Sequence, residues 1–442
     1  MQSYILTAIR TVIPRPEDQK ILTPYSFPRY VILPCVAQLF MAYLSQRPNT
    51  RVARILFFPI SLLTFLNLAC GARLDGPEYA VYNIIKTYTA LVGMAKAIDF
   101  MAFYEENQKI TTHPTSNGHV YENPKKPNQD SSGNPQSMFP LALRDACHAA
   151  SSFRGMGYRY GEGIHIPKDK RPMQRGPFLL ATFRQLLSTF FALDMMDSLY
   201  KLFPIFQNPA GTSIYVNHLP EPKRTIVTLT ITFSTGYVIR ELFLVVYLSC
   251  TIVGVLLFNN PPSTWPPFFD APFHSDSLHY YWAKGWHQLL RRTFVVCGGR
   301  PGMWVCKKLR IPKGVGLVLG TFAVCAVCHE LPFYTLGGGL DWRTPAFFFL
   351  AGCVVVGERA WRKVTGYMVR GPIGRVWVFF FAMTVGQLIS DSFHKRGLGG
   401  SVIVPIIISP TRRLIFPFIR DCIEKWEPGW ASWVRDFISD IK

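Results

Sequence analysis

Long apolar stretches separated by short polar segments run along most of the chain. The clearest is Ile55–Ala72, which contains no charged residue. A helix needs about 20 mostly apolar residues to cross a bilayer, so such stretches predict membrane-spanning helices. The other candidates are Val31–Leu44, Tyr79–Ile98, Pro177–Phe203, Thr225–Phe258, Gly314–Cys328, Thr344–Gly357, Val376–Ser390 and Ser401–Ser409. Because Pro177–Phe203 contains four charged residues, it fits either an interfacial helix or a span whose polar residues face inward. The pattern predicts an all-α, polytopic integral membrane protein with about eight to ten transmembrane helices.

Two features of this pattern bear on its organisation. Arg240 and Glu241 interrupt the long stretch Thr225–Phe258, which therefore fits either one long tilted helix or two short helices that meet at the pair. Residues 105–140 are rich in Asn, Pro, Ser and Gly and predict a flexible polar loop. This loop divides the chain into N-terminal transmembrane helices at 1–104 and one integrated membrane domain at 141–442.

The charge balance is strongly basic, with a net charge of +20 from 47 Lys and Arg against 27 Asp and Glu. Only 17% of residues are charged and 49% are apolar, which is a membrane-type composition. Basic loops beside membrane helices follow the positive-inside bias, so the charge does not require a nucleic-acid partner. The ten cysteines lie mostly in apolar runs and do not indicate a disulfide framework.

His329 follows the uncharged run Gly314–Cys328. An ionisable side chain at membrane depth is costly and is a functional candidate by default, although a structural histidine that donates one hydrogen bond is the alternative. The preceding Cys325 and Cys328 complete a C-x-x-C-H spacing, but a haem attachment site is disfavoured because both thiols lie in a lipid-buried run. No second histidine follows at zinc-site spacing, so no metal is expected.

A second candidate stretch, Thr264–Phe294, begins as a proline-rich loop and continues as a predicted aromatic helix. Trp282 and Trp286 are four residues apart and are expected to share a helical face beside His287. Lys284, Arg291 and Arg292 make the stretch basic. It is typical either of an interfacial anchor or of a site for an anionic ligand such as coenzyme A, whose phosphates prefer cationic partners.

Acyl transfer to an alcohol needs a base for the hydroxyl proton and a donor for the oxyanion on the thioester carbonyl. Neutral imidazole suits the first role near pH 7. Two histidines, His287 and His329, could therefore divide these roles.

These residues resemble the wax-synthase-like branch of the membrane-bound O-acyltransferases, and most closely its fungal terpenoid and meroterpenoid O-acetyltransferases. The segment SLHYYWAKGWHQ at 277–288 is similar to the branch's S-L-x-x-F-W-G-R-x-W-H-Q pattern. WPPFF at 265–269 resembles W-P-P-L-F, and RGMGY at 154–158 resembles R-G-I-G-W. His329 and Glu330 match the family's buried H-E pair.

The resemblance implies that His329 is the catalytic histidine and that His287 occupies the second polar position. It also implies a cytosolic entrance for acyl-CoA and a lateral opening for lipid. From charge and spacing, Arg291, Arg292 and Lys284 are expected to bind acyl-CoA. The residues expected to line the substrate cavity are Trp282, Trp286, Gln288 and Glu330. The chain departs from the pattern at Tyr281, Ala283, Lys284 and Pro332.

The expected function is transfer of an acyl group from acyl-CoA to a hydroxyl of a lipophilic terpenoid-like acceptor. Acetyl is the preferred choice for the acyl group. Acetyl-CoA is then a co-substrate, with no bound cofactor. A long-chain wax or sterol ester synthase is the alternative of the same class. A multi-pass transporter with Asp194, Arg240 and Glu241 along its path is the alternative of another class. The family and the lack of a recognisable signal peptide favour the endoplasmic reticulum.

Overall fold

The computed structural model describes residues 13–109 and 141–426, together with the single positions 10 and 432. Most of the predicted polar loop, from 110 to 140, lies outside the described residues. In chain order the helices are α1 (Leu33–Ser45), α2 (Arg51–Cys70), α3 (Ala80–Ala102), α4 (Leu141–Ser151), α5 (Arg175–Tyr200), α6 (Lys223–Leu256), α7 (Leu278–Tyr280), α8 (Arg291–Phe294), α9 (Arg300–Lys308), α10 (Lys313–Thr335), α11 (Arg343–Thr365), α12 (Gly371–Thr384), α13 (Gly386–Lys395) and α14 (Phe416–Trp426). Two short strands, β1 (Lys20–Ile21) and β2 (Ala72–Arg73), pair in parallel.

Five helical segments of the described chain are long and apolar enough to cross a membrane. They are α2, α5, α6, α10 and the segment Gly371–Lys395, which joins α12 and α13. The all-helical, multi-pass fold class is therefore confirmed. Helices α3 and α11 each have 23 residues but carry more charge. The number of spans, about eight to ten, and the division of the chain into segments stay predictions.

Helix α6 settles the choice that the sequence left open. It runs without a break over 34 residues. At 1.5 Å per residue its length is about 50 Å, which exceeds the hydrocarbon core of a bilayer. Arg240 and Glu241 pair with each other within the helix, so the two charges are compensated without a chain break.

The apolar run Ser401–Ser409 is not a membrane helix, and its inclusion among the candidate spans was wrong. It forms a loop with one short 3-10 turn at Ile406–Ile408, whose side chains are exposed. Two prolines, Pro405 and Pro410, flank this turn, and proline cannot continue a helix or donate a backbone hydrogen bond.

Two buried carboxylates of α5 hold the loop that contains Ser401–Ser409. Asp197 accepts a hydrogen bond from the backbone of Val404 at 3.2 Å and pairs with Arg412 at 2.8 Å. Asp194 accepts one from the backbone of Thr411 at 2.8 Å. The two acidic residues that interrupt α5 in sequence therefore point into the protein and fix a distant segment.

Close backbone contact packs α9 against α10. A Cβ atom on Gly302 would lie 2.1 Å from the carbonyl oxygen of Gly316, and one on Gly298 would lie 2.1 Å from that of Gly320. Only glycine permits this approach. The pairing order shows that the two segments run antiparallel, which brings the chain before α9 alongside the part of α10 that leads to His329.

The N-terminal helices also pack on α10. The hydroxyl groups of Thr87, on α3, and Thr335, at the end of α10, are 3.5 Å apart. Gln19 donates a hydrogen bond to the carbonyl of Thr335 at 2.6 Å. Residues from the first hundred positions therefore reach the helix that carries His329.

Candidate active site

His329 lies on α10, which continues through Pro332 to Thr335. Its Nδ1 atom is 2.7 Å from the backbone carbonyl oxygen of Cys325, one turn earlier. A carbonyl oxygen only accepts hydrogen bonds, so Nδ1 must carry the proton. In the neutral ring, Nε2 then holds the lone pair, which is the state required of a base.

Aromatic rings from two other helices flank the His329 imidazole. The ring of Phe348, on α11, lies 4.4 Å from it between centroids, and that of Tyr88, on α3, lies 5.5 Å away in an edge-to-face arrangement. His329 and Tyr88 are each partly accessible. The Tyr88 hydroxyl has no hydrogen-bond partner in the described part of the chain. Sequence reasoning missed Tyr88, because no motif marks it and it lies far from His329 along the chain.

The predicted aromatic helix ends sooner than expected. Helix α7 continues as a π-helical turn over Tyr281–Gly285, and Trp286 is already extended, with ψ at 157°. Trp282 and Trp286 therefore do not share a helical face, which corrects the expectation from their spacing. Gln288 stabilises the break, since its side-chain amide donates to the carbonyls of Trp286 at 3.0 Å and Trp282 at 3.3 Å.

The break in the helix places His287 in an aromatic shell. Its ring lies 5.1 Å from Phe243, 5.4 Å from Phe268 and 5.7 Å from Trp286. The buried Nδ1 atom has no hydrogen-bond partner within the described residues. Burial is the main cause that lowers the pKa of His287 to about 3, and the positive charge of Arg154 adds to it. His287 is thus a neutral imidazole near pH 7, with one nitrogen unsatisfied.

Ring contacts connect the two histidines. Trp286 stacks on Tyr281 at 5.6 Å, Tyr281 meets Trp282 at 5.0 Å, and Trp282 lies 6.4 Å from Phe348. The buried indole nitrogen of Trp282 also lacks a partner among the residues described. The structure therefore brings four predicted residues into one aromatic cluster, whose series of contacts is His287, Trp286, Tyr281, Trp282, Phe348 and His329.

Two of the sequence motifs meet through Arg154, which is buried. Its guanidinium donates to the carbonyls of Pro266 and Pro267, each at 2.7 Å, and to the hydroxyl of Tyr247 at 2.5 Å. The loop held in this way carries Phe268 into the shell around His287. The motif at 154–158 thus supports the site from a distance in sequence.

Glu330 follows His329 in sequence, but its side chain forms contacts outside the aromatic cluster. Both its oxygens accept from Arg396, at 2.7 and 3.1 Å, and one also accepts from the backbone of Asp341 at 2.6 Å. This ion pair is buried. The Glu330 carboxylate is engaged in fixing the end of α10 to α13 and is not part of the aromatic cluster.

A basic cleft of about 490 Å³ lies beside α8 and α9. Four arginines line it together with three glutamates: Arg159, Arg291, Arg292, Arg300, Glu105, Glu106 and Glu162. The cleft contains two of the three basic residues that the sequence singled out for coenzyme A.

The two adjacent arginines of the cleft differ in their pairing. Arg292 binds Asp99 through Nε at 2.8 Å and Glu106 at 2.8 Å, and Glu106 also pairs with Arg300. Arg291 is exposed and has no carboxylate partner in the described chain.

Lys284 does not line this cleft. It is exposed and lies 5.7 Å from the ring of Tyr280. Tyr280 donates to Asp270 at 2.9 Å, and Asp270 also bonds to His165 at 2.6 Å. This polar network joins the proline-rich loop to the segment after Arg159. Across the described residues, no group of three or more His, Cys, Asp or Glu is placed to hold a metal ion.

Comparison with known proteins covers the same region. Residues 265–351 match the model of the Membrane bound O-acyl transferase family. The chain is 25% identical over 217 residues to acetyltransferase sirH of Emericella nidulans, which covers 46% of this chain and 48% of that protein. It is 25% identical over 147 residues to a probable long-chain-alcohol O-fatty-acyltransferase 6 of Arabidopsis thaliana, covering 33% and 42%. The chain thus spans about half the length of the curated relatives it matches.

The matched segment includes His287, His329 and the aromatic residues whose ring contacts connect them. The resemblance drawn from the sequence is confirmed: residues 265–351 match the model of this family, and the two relatives are named as an acetyltransferase and an O-fatty-acyltransferase.

Proposed function

We propose that the protein is an O-acyltransferase that moves an acetyl group from acetyl-CoA to a hydroxyl of a lipophilic, terpenoid-like acceptor in the membrane of the endoplasmic reticulum. The observation that carries this proposal is the state of His329. Its Nδ1–H is held by a backbone carbonyl and its Nε2 lone pair is left for a substrate. The family segment around it supports acyl transfer as the reaction class.

In this mechanism His329 Nε2 takes the proton of the acceptor hydroxyl. The alkoxide attacks the thioester carbonyl directly, the C–S bond breaks, and the coenzyme A thiolate takes the proton back from His329. No acyl-enzyme forms. His287 stays neutral, and its unsatisfied Nδ1 either donates to the oxyanion or positions the acceptor. The aromatic cluster, with Trp282 and Trp286, excludes water from the reacting groups.

Tyr88 is a third group with a role in the proposed reaction. Its ring contacts the His329 imidazole, and its hydroxyl has no partner in the described chain. Since Tyr88 is partly accessible, its hydroxyl can donate a hydrogen bond to a bound molecule or accept one from it. We assign that partner to the substrate, as the acyl carbonyl or the acceptor hydroxyl.

The basic cleft is proposed to receive the coenzyme A phosphates. Arg291 and Arg159 are the principal ligands because neither has a carboxylate partner in the described residues, while Arg292 and Arg300 already share Glu106. Lys284 lies outside the cleft and is not among the residues proposed to bind these phosphates.

Donor length separates the proposal from its nearest rival. One relative is named an acetyltransferase and the other a long-chain-alcohol O-fatty-acyltransferase, so the rival is a long-chain ester synthase. The short distance between Phe348 and His329 supports the shorter donor, since a bulky ring occupies one face of the catalytic imidazole.

The proposal is tested with membranes from cells that express the wild type, His329→Ala or His274→Ala. His274 is an exposed histidine of the same region and serves as the matched control. Each membrane receives labelled acetyl-CoA and a lipid extract from the source organism, and label is followed into organic-extractable ester. Transfer by the wild type and the control, with loss in His329→Ala at equal expression, supports the proposal.

Three other outcomes contradict it. Equal transfer by His329→Ala would make His329 structural. Preference for palmitoyl-CoA over acetyl-CoA would favour the long-chain synthase. If the acceptor crossed the membrane and no acyl-CoA donor released its thiol, the transporter would be favoured.

A further inference from the structure

Three helix ends meet at one end of α10. The backbone contact between Gly302 and Gly316 holds α9 against the start of α10. A Cβ atom on Gly314 would lie 4.0 Å from the guanidinium of Arg359, so the last turns of α11 reach the same point. The end of α9, the beginning of α10 and the end of α11 therefore lie at the same height along the helix axes.

This level is densely basic. Its cations are all exposed, and none has a carboxylate partner within the part of the chain that the structure describes. We call the following six residues the helix-end patch: Lys307, Lys308, Arg310, Lys313, Arg359 and Arg362.

The opposite end of the same helices is built differently. There, Arg343 pairs with Asp341 at 3.3 Å and Arg396 pairs with Glu330 at 2.7 Å. Basic residues at that end are compensated within the protein. A concentration of like charges without such compensation repels itself and favours an external anion.

Large apolar side chains are interleaved with these cations. Trp304 and Leu309 are each 63% exposed, Trp361 is 55% exposed and Val364 is 85% exposed. The ammonium of Lys308 lies 5.8 Å from the ring of Trp304. Exposed tryptophan and aliphatic side chains beside Lys and Arg are typical of headgroup depth. Since α10 is a candidate membrane span that begins at Lys313, the patch lies where a bilayer ends.

We propose that the helix-end patch binds the headgroups of anionic phospholipids in the adjacent leaflet. The cations meet the phosphodiester and the additional negative charge, while the apolar side chains lie among the upper acyl carbons. Charge complementarity selects this partner over zwitterionic phosphatidylcholine. The inference is independent of the proposed acyl transfer, because it rests on residues outside the cleft and the aromatic cluster.

The test uses the full chain in detergent micelles that contain equal amounts of phosphatidylcholine and phosphatidylserine. Native mass spectrometry counts the lipid adducts on the wild type and on Lys307→Gln/Lys308→Gln/Lys313→Gln. The wild type is expected to favour phosphatidylserine by about fivefold or more, and the triple variant is expected to lose most of this preference. Size-exclusion profiles and melting temperatures show that both proteins remain folded.

A matched control removes three lysines elsewhere. Lys20, Lys168 and Lys170 are exposed, and Lys20→Gln/Lys168→Gln/Lys170→Gln changes the net charge equally. The control is expected to keep the preference for phosphatidylserine. Equal adducts of both lipids on the wild type, or equal loss in the control, would overturn the proposal. Displacement of phosphatidylserine from the wild type by excess coenzyme A would also overturn it, because the patch would then belong to the soluble donor.

Discussion

The Nδ1 atom of His329 lies 2.7 Å from the carbonyl oxygen of Cys325, and the partner is backbone rather than side chain. The Cys325 sulfur is farther from the same atom, at 3.6 Å. A backbone acceptor fixes the imidazole tautomer whatever side chain stands at position 325. The cysteine spacing around His329 is therefore incidental to the chemistry proposed here.

A pair of substitutions tests this relationship. Cys325→Ala is expected to keep acyl transfer within about threefold of the wild type, because the carbonyl remains. His329→Gln is expected to lower kcat by about 100-fold or more, since glutamine can donate and accept hydrogen bonds but cannot serve as a base. Initial rates of labelled ester formation measure both. A severe loss in Cys325→Ala with normal folding would mean that the thiol itself takes part.

The Tyr88 hydroxyl makes a second prediction. Tyr88→Phe keeps the ring beside His329 and removes only the oxygen, so kcat is expected to fall about tenfold with little change in melting temperature. Tyr82 is the control on the same helix, because its hydroxyl is already used on the carbonyl of Ile403 at 3.2 Å. Tyr82→Phe is expected to leave kcat unchanged. Similar rates for Tyr88→Phe and the wild type would confine Tyr88 to packing.

The pKa of His287 predicts how stability depends on pH. Burial is the main cause that lowers this pKa from its ordinary value of 6.5 to about 3. Below pH 6.5 the unfolded chain binds a proton at this residue and the folded protein does not, so the free energy of unfolding falls as the pH drops toward 3. At pH 5 the loss from this group is about 2 kcal/mol.

His287→Asn removes the titrating group and keeps a polar side chain. The drop in melting temperature between pH 7.5 and pH 5 is expected to be smaller in this variant than in the wild type, whatever their absolute stabilities at pH 7.5. His274→Asn, at an exposed position, is expected to behave as the wild type does. An unchanged drop in His287→Asn would show that the imidazole is protonated in the folded state.

Much of the fold follows from the apolar pattern, because a run of about 20 uncharged, mostly apolar residues has the length and composition of a membrane-spanning helix. The run Ile55–Ala72 predicted α2 to within a few residues at each end. The same reasoning failed at Ser401–Ser409, where flanking prolines outweigh hydrophobicity. It also could not foresee that the chain turns out of the helix at Gly285, since that break depends on the Gln288 amide.

Candidate site residues could be singled out from the sequence only where a motif contains them. His287 and His329 were singled out because both lie in recognisable segments. Tyr88 was not found, because its proximity to His329 is set by how α3 packs on α10. Ion pairing was equally hidden: Arg292 and Asp99 are 193 positions apart, and nothing local to either shows that they are partners.

That hidden pairing separates two arginines that the sequence treats alike. Arg292→Gln leaves Asp99, a buried carboxylate, without its partner, and breaking a buried pair costs about 3–5 kcal/mol. Arg291→Gln breaks no ion pair and is expected to change stability by less than about 0.5 kcal/mol. Its KM for acetyl-CoA is expected to rise about tenfold, because a charge-assisted bond to phosphate is lost.

Thermal melting and steady-state kinetics on the two variants distinguish these effects. Asp99→Asn/Arg292→Gln is the control for the structural role, since it removes both charges and is expected to recover part of the stability lost in Arg292→Gln alone. If Arg291→Gln leaves the KM unchanged while the wild type transfers acetyl groups, the donor phosphates bind elsewhere. If Arg291→Gln lowered the melting temperature as much as Arg292→Gln does, the conclusion that only Arg292 stabilises the fold would be wrong.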